Sequence, residues 1–186
     1  MAQLSLNRMR LPSGTEWIAG GAALLATLVY LFVLHGLDRR AESYFMALRE
    51  NDPATYLMQL REAKGFDAFL PEYAALEGLG DFTPRTPTFL IGRWTLREDM
   101  LRLTPGQAPS ACSDPATFEF GLFLMVEAGG PALAVQYRID GDTVEMRSSA
   151  QAVYPIRLVS FGAQLDHIEF TPPGRDTPAF AYLCRR

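Results

Sequence analysis

Leu133–Ser148 reads LAVQYRIDGDTVEMRS. Leu133, Val135, Tyr137 and Ile139 alternate with Ala134, Gln136 and Arg138, and Val144 and Met146 alternate with Thr143, Glu145 and Arg147. A period of two puts one set of side chains on an apolar face and the other on a wetter face, as in an antiparallel sheet with one side in a core. Asp140-Gly141-Asp142 between the two runs supplies hairpin-turn chemistry. It resembles a fragment of a calcium loop, but the residues that follow lack the spaced carboxylates such a loop needs.

Outward from this hairpin the same period continues. Candidate strands are Thr88–Leu96, Met100–Leu103, Thr117–Glu127, Ala132–Ile139, Thr143–Ser148, Ala152–Ser160, Gln164–Phe170 and Pro178–Arg185. Between them lie Pro105-Gly106, Gly129-Gly130-Pro131, Phe161-Gly162 and Pro172-Pro173-Gly174. Short strands with regular turn signals predict an antiparallel meander, closed or nearly closed as a small barrel. One strand breaks the pattern. In Phe118–Val126, FEFGLFLMV, both faces turn apolar after Glu119. That second face, carrying residues from Phe118, Phe120, Leu122, Phe123 and Met125, is expected to lie under helices of this chain or, failing that, under a partner.

Toward the amino end, Trp17–Leu37 (WIAGGAALLATLVYLFVLHGL) contains no Asp, Glu, Lys or Arg. As a helix it is about 31 Å long at 1.5 Å per residue, about the thickness of a bilayer's hydrocarbon core. The run is longer than a signal-peptide core, and LDRRAESYF follows it without a small-x-small cleavage site. An uncleaved anchor is expected, with the lipid bilayer as first partner. Ala19, Gly20, Ala22, Ala23 and Ala26 make the first half of the span small-sided. Such a face lets another membrane helix approach closely.

The domain plan is therefore a tail at 1–16, a transmembrane helix at 17–37, a helical stalk or cap at 38–80 and a β domain at 88–186. Ala41, Tyr44, Phe45 and Leu48 fall at helical spacing. Asp52-Pro53 suits an N-cap followed by proline at the first helical position, and Gly65 suits a stop. A further short helix is expected from Pro71 to Leu79. Residues 81–88, DFTPRTPT, read as the boundary before the β domain.

Charge and cysteines bound the setting. The 186 residues carry a net charge of −4, which argues against a nucleic-acid partner. Lys64 is the single lysine among 17 basic residues, a bias associated with GC-rich bacterial genomes. Arginines flank both ends of the span, Arg8 and Arg10 before it and Arg39, Arg40 and Arg49 after it. The positive-inside rule therefore favours neither orientation. Cys112 and Cys184 are the only cysteines and flank the β region. An even pair of this kind suggests a disulfide, hence a compartment outside the cytosol. The expected location is a bacterial inner membrane, single-pass, with the tail cytoplasmic and the β domain periplasmic.

Gly92-Arg93-Trp94 on the first candidate strand resembles the lipocalin signature. In that family the tryptophan closes one end of the barrel and an arginine near the C-terminus packs across it. The resemblance covers roughly residues 88–186 and implies that Trp94 plugs the barrel, with Arg185 or Arg186 as the arginine. It also implies an apolar ligand, a lipid or a quinone. The chain departs from the family in size, since about 95 residues is short for eight barrel strands, and the later loop motifs are absent. Small secreted bacterial β domains with a Trp strand and a Cys-Arg ending are similar too, as in Tyr182-Leu183-Cys184-Arg185.

Catalytic and cofactor chemistry finds little support. Two histidines and two cysteines cannot make a usual zinc set. His167, in Asp166-His167-Ile168-Glu169, is expected as a solvated strand residue, and His35 as an interfacial one. No nucleophile elbow, Cys-His pair or phosphate loop is present. The expectation is a non-enzymatic protein without a cofactor: an accessory subunit or assembly factor whose partners are other transmembrane subunits. A membrane-tethered module for an apolar ligand is the alternative.

Overall fold

The computed structural model describes residues 14–98, 101–113, 115–125 and 132–184, with side chains from residue 21 onward. They form two compact units, the first ending at Asn51 and the second beginning at Asp52. The first unit is one helix, α1 (Gly14–Asn51). Its 38 residues reach about 57 Å, so it extends well beyond the thickness of a hydrocarbon core. The part from Gly21 is long and apolar enough to cross a membrane, and none of its most apolar window is buried.

The second unit begins with a helical hairpin, α2 (Pro53–Lys64) and α3 (Phe66–Glu77). Asp52 caps α2 as its sequence suggests, accepting from the Thr55 N–H at 3.1 Å and the Thr55 hydroxyl at 2.6 Å. Gly65 ends α2. The second helix starts five residues earlier than expected, and Pro71 lies inside it rather than opening it. Burial outweighs the proline here. Phe66, Phe69, Leu70 and Tyr73 all point into the core and hold both sides of the proline in one helix. Phe66, Phe69 and Tyr73 pack with Phe89, ring centroids 5.4–6.4 Å apart. The hairpin is fixed to a later turn by the Phe66 N–H on the Gly162 carbonyl (3.0 Å) and by Ser160 donating to Asp67 (2.7 Å).

Eight antiparallel strands follow in simple up-and-down order and close as a barrel: β1 (Gly92–Arg97), β2 (Pro115–Glu119), β3 (Leu122–Met125), β4 (Leu133–Asp140), β5 (Thr143–Ser148), β6 (Val153–Phe161), β7 (Gln164–Phe170) and β8 (Ala179–Leu183). β1 pairs with β8, Trp94 opposite Leu183, so no sheet edge is left open there. This is the architecture that the lipocalin resemblance implies. Strands of four to nine residues with tight turns let eight of them fit into so short a segment.

Two expectations about strands are corrected. The run beginning at Phe118 is, as far as Met125, a hairpin and not one strand: Glu119 pairs with Leu122 across a turn at Phe120-Gly121, and Val126 lies outside the described residues. The turn resets the inside–outside alternation, which is why the linear pattern reads as apolar on both faces. Leu101–Leu103 is loop, with Met100 outside the described residues. Its apolar side chains belong to a flap held on β7 and β8 by side chains, described below.

The short β3 cannot pair along the whole of β4, and residues 79–86 take its place. The Ile139 N–H donates to the Leu79 carbonyl at 2.8 Å, and Thr83 and Tyr137 exchange two backbone bonds at 3.0 and 2.8 Å. The Thr86 hydroxyl donates to the Glu119 carbonyl and accepts the Gly121 N–H at 2.9 Å. What reads as a boundary in the sequence is therefore a patch in the barrel wall. It supplies partners to β4 backbone groups that the core strands leave unpaired.

Candidate functional site

The barrel interior is a packed core. Trp94, Phe118, Phe123, Tyr137, Met146, Ile156 and Ile168 are almost fully buried. Phe118 is the hub, with ring centroids 6.4 Å from Trp94, 5.0 Å from Phe123 and 6.0 Å from Phe170. These side chains form the apolar core inside the barrel wall. The Trp94 indole N–H donates to the Leu90 carbonyl at 2.8 Å, which satisfies its buried polar edge. Arg185 and Arg186, the candidates to pack across Trp94, lie outside the described residues. The Tyr137 hydroxyl is buried near the Thr86 side chain, and burial raises its pKa, which keeps it neutral.

Cys112 and Cys184 form a disulfide with Cα atoms 5.6 Å apart. The Cys184 N–H donates to the Arg93 carbonyl at 2.8 Å, so the bond lies at the junction of first and last strands and ties the loop before β2 to it. Around it Ile91, Arg93, Thr117, Glu119, Phe120 and Leu183 line an open cleft of about 790 Å³. Phe120 is 84% exposed and Leu183 43%, the apolar lip of this cleft. The proposed partner surface thus divides. Phe118 and Phe123 belong to the core, Met125 is half-buried at the end of β3, and Phe120 and Leu122 are exposed. A linear reading cannot make this division without the turn, whose signal is the lone Gly121 inside a strand-like run.

On α1, Ala22, Ala23 and Ala26 are exposed together with Leu24, Leu25, Leu28, Val29, Leu31 and Phe32. Ala19 and Gly20 lie in the first turns of the helix, where side chains are outside the described set.

A polar cluster on β7 corrects the expectation for His167. Its side chain is 12% exposed and stacks on Tyr182 with centroids 5.1 Å apart. Nδ1 lies 2.8 Å from Asp166 and Nε2 3.4 Å from Glu169. Asp166 also accepts the Gly106 N–H, Tyr182 accepts the Leu103 N–H at 3.1 Å, and Arg102 bridges to Glu169 at 2.9 Å while covering the Phe180 ring. Asp166, Glu169, Phe180 and Tyr182 thus hold residues 102–106 onto the barrel, and His167 packs among them. No serine, threonine or cysteine stands within hydrogen-bond reach of His167 among the described residues, and none of their acidic, histidine or cysteine side chains form a group of three that could bind a metal. The cluster fastens a loop; it does not assemble a nucleophile and base.

Compared with protein-family models, curated proteins and solved structures, the chain has no significant match.

Proposed function

We propose that this chain is a non-catalytic, membrane-anchored accessory subunit or assembly factor of a bacterial inner-membrane complex, with its barrel on the periplasmic side. The observation that carries this reading is α1. A helix whose apolar residues are exposed from Gly21 through Leu37 needs a second apolar phase, and its small-sided Ala22, Ala23 and Ala26 suit close approach by another helix. The disulfide supports an oxidising compartment for the barrel. From the lipocalin resemblance we carry over the barrel alone, whose interior holds the Trp94, Phe118, Phe123 and Phe170 rings. Phe120 and Leu183 around the cleft offer the head its own apolar contact. Purification of the full chain from its native membrane in mild detergent tests this reading. The expected result is a co-purifying integral membrane protein in fixed proportion; free monomer as the sole product overturns it.

A further inference from the structure

The outer face of the β4–β5 hairpin carries two cross-strand pairs in succession. Arg138 stands opposite Glu145 and Gln136 opposite Arg147. The first is a salt bridge, Nη2 to Oε2 at 2.6 Å. In the second, the position that would neutralise the arginine holds an amide, and Arg147 Nη2 donates to Gln136 Oε1 at 2.6 Å. Among the described residues no carboxylate pairs with Arg147, and its Nε is buried without an acceptor. Phe82, from the strip that patches the barrel wall, holds the guanidinium in place, its ring centroid 3.9 Å from Cζ.

Arg147 lines an open pocket of about 260 Å³ with Gln136, Ser148, Ser149 and Gln151. Gln151 is the one described non-glycine residue with positive φ (64°), a conformation that costs a side-chain-bearing residue energy and is kept here by the turn that shapes the pocket wall. A fixed guanidinium without a carboxylate partner, in an open pocket that Ser149 and Gln151 also line, is complementary to a small oxyanion such as a carboxylate. We propose that this pocket binds a carboxylate, with Arg147 as its counter-ion and Gln136 holding the arginine in place. Charge-assisted pairing to a planar carboxylate is what a pre-set arginine favours. The carboxylate could come from a small organic acid or from the free C-terminus of a polypeptide. This inference goes beyond the accessory-subunit reading and does not depend on it, because the pocket belongs to the barrel.

The test uses the full-length protein in detergent micelles, ¹⁵N-labelled at arginine, at constant ionic strength in chloride. Sodium acetate, acetyl-Ala-Ala-Ala with a free C-terminus and the same peptide amidated are titrated in turn while the Arg147 side-chain resonance is followed. A saturable shift with acetate or the free-acid peptide, and none with the amide, is expected. Acetate binding at least as well as the peptide identifies a small acid, and tighter binding of the peptide identifies a polypeptide terminus. Arg147→Gln should remove binding by deleting the cation. Gln136→Glu should weaken it at least tenfold by pairing Arg147 internally while the fold is kept, so the proposal stays testable if Arg147→Gln unfolds. No shift with either acid, equal shifts with the amidated peptide, or undiminished binding in a folded Gln136→Glu protein each overturn it.

Discussion

At the scale of single residues, the consequential side chains are those whose partners lie far away in sequence. Cys112 and Cys184 are 72 positions apart and close the barrel where its first and last strands meet. In the chain-entropy model a loop of that length contributes on the order of 4 kcal/mol. Cys112→Ser and Cys184→Ser should therefore lower the thermal midpoint by the same amount, and the double variant by no more. Differential scanning calorimetry checks this, and unequal losses count against a shared bond. Asp52 is a local case. The Thr55 hydroxyl and backbone N–H groups lower its pKa, so the folded chain holds that proton less tightly than the unfolded one. Its cap is fully effective above the ordinary carboxylate range and is lost as pH falls from there through the lowered folded-state pKa. Asp52→Asn keeps an acceptor but cannot titrate, so its acid-unfolding curve should be less steep in that range. The Asp52 cap was legible in sequence because its partner is three residues away; the stacking of His167 on Tyr182 was not, because it depends on strand register.

At the scale of elements, β2 and β3 show how one turn can mislead a periodic reading. Gly121 has φ +70°, and a Cβ there would come within 3.1 Å of the Pro84 carbonyl. Gly121→Ala should cost about 1–2 kcal/mol from the left-handed backbone and the close approach together. Urea unfolding measures it, and a neutral result would contradict the hairpin geometry. On α1 the small-residue face makes a different demand. Ala23→Leu should weaken lateral assembly and leave membrane insertion intact, since leucine is as compatible with lipid as alanine. Cross-linking yield in native membranes, read beside carbonate extraction, separates the two effects. Unchanged cross-linking would remove the packing claim. The span was legible because its signal is simple length and apolarity.

For the whole molecule, orientation joins anchor and barrel into one proposal. External protease added to spheroplasts should degrade the barrel of the full chain, whereas protection until lysis would place it in the cytoplasm. The eight-stranded count illustrates how sequence and structure divide the work. Eight strands were expected, yet Leu101–Leu103 forms no strand, and the count is restored because the expected strand beginning at Thr117 splits into β2 and β3. The sequence by itself determined what depends on neighbours: an apolar helix at the amino end, a capped helix at Pro53, a period-two region after residue 88 and the Asp140 hairpin. Only tertiary structure decided what depends on closure. It placed the aromatic rings in the lumen, turned residues 79–86 into part of the wall and set Arg147 beside a pocket, opposite an amide instead of a carboxylate. Short-range hydrogen bonding and side-chain period are written locally along the chain, whereas the filling of a barrel depends on register between strands that meet only when the sheet closes.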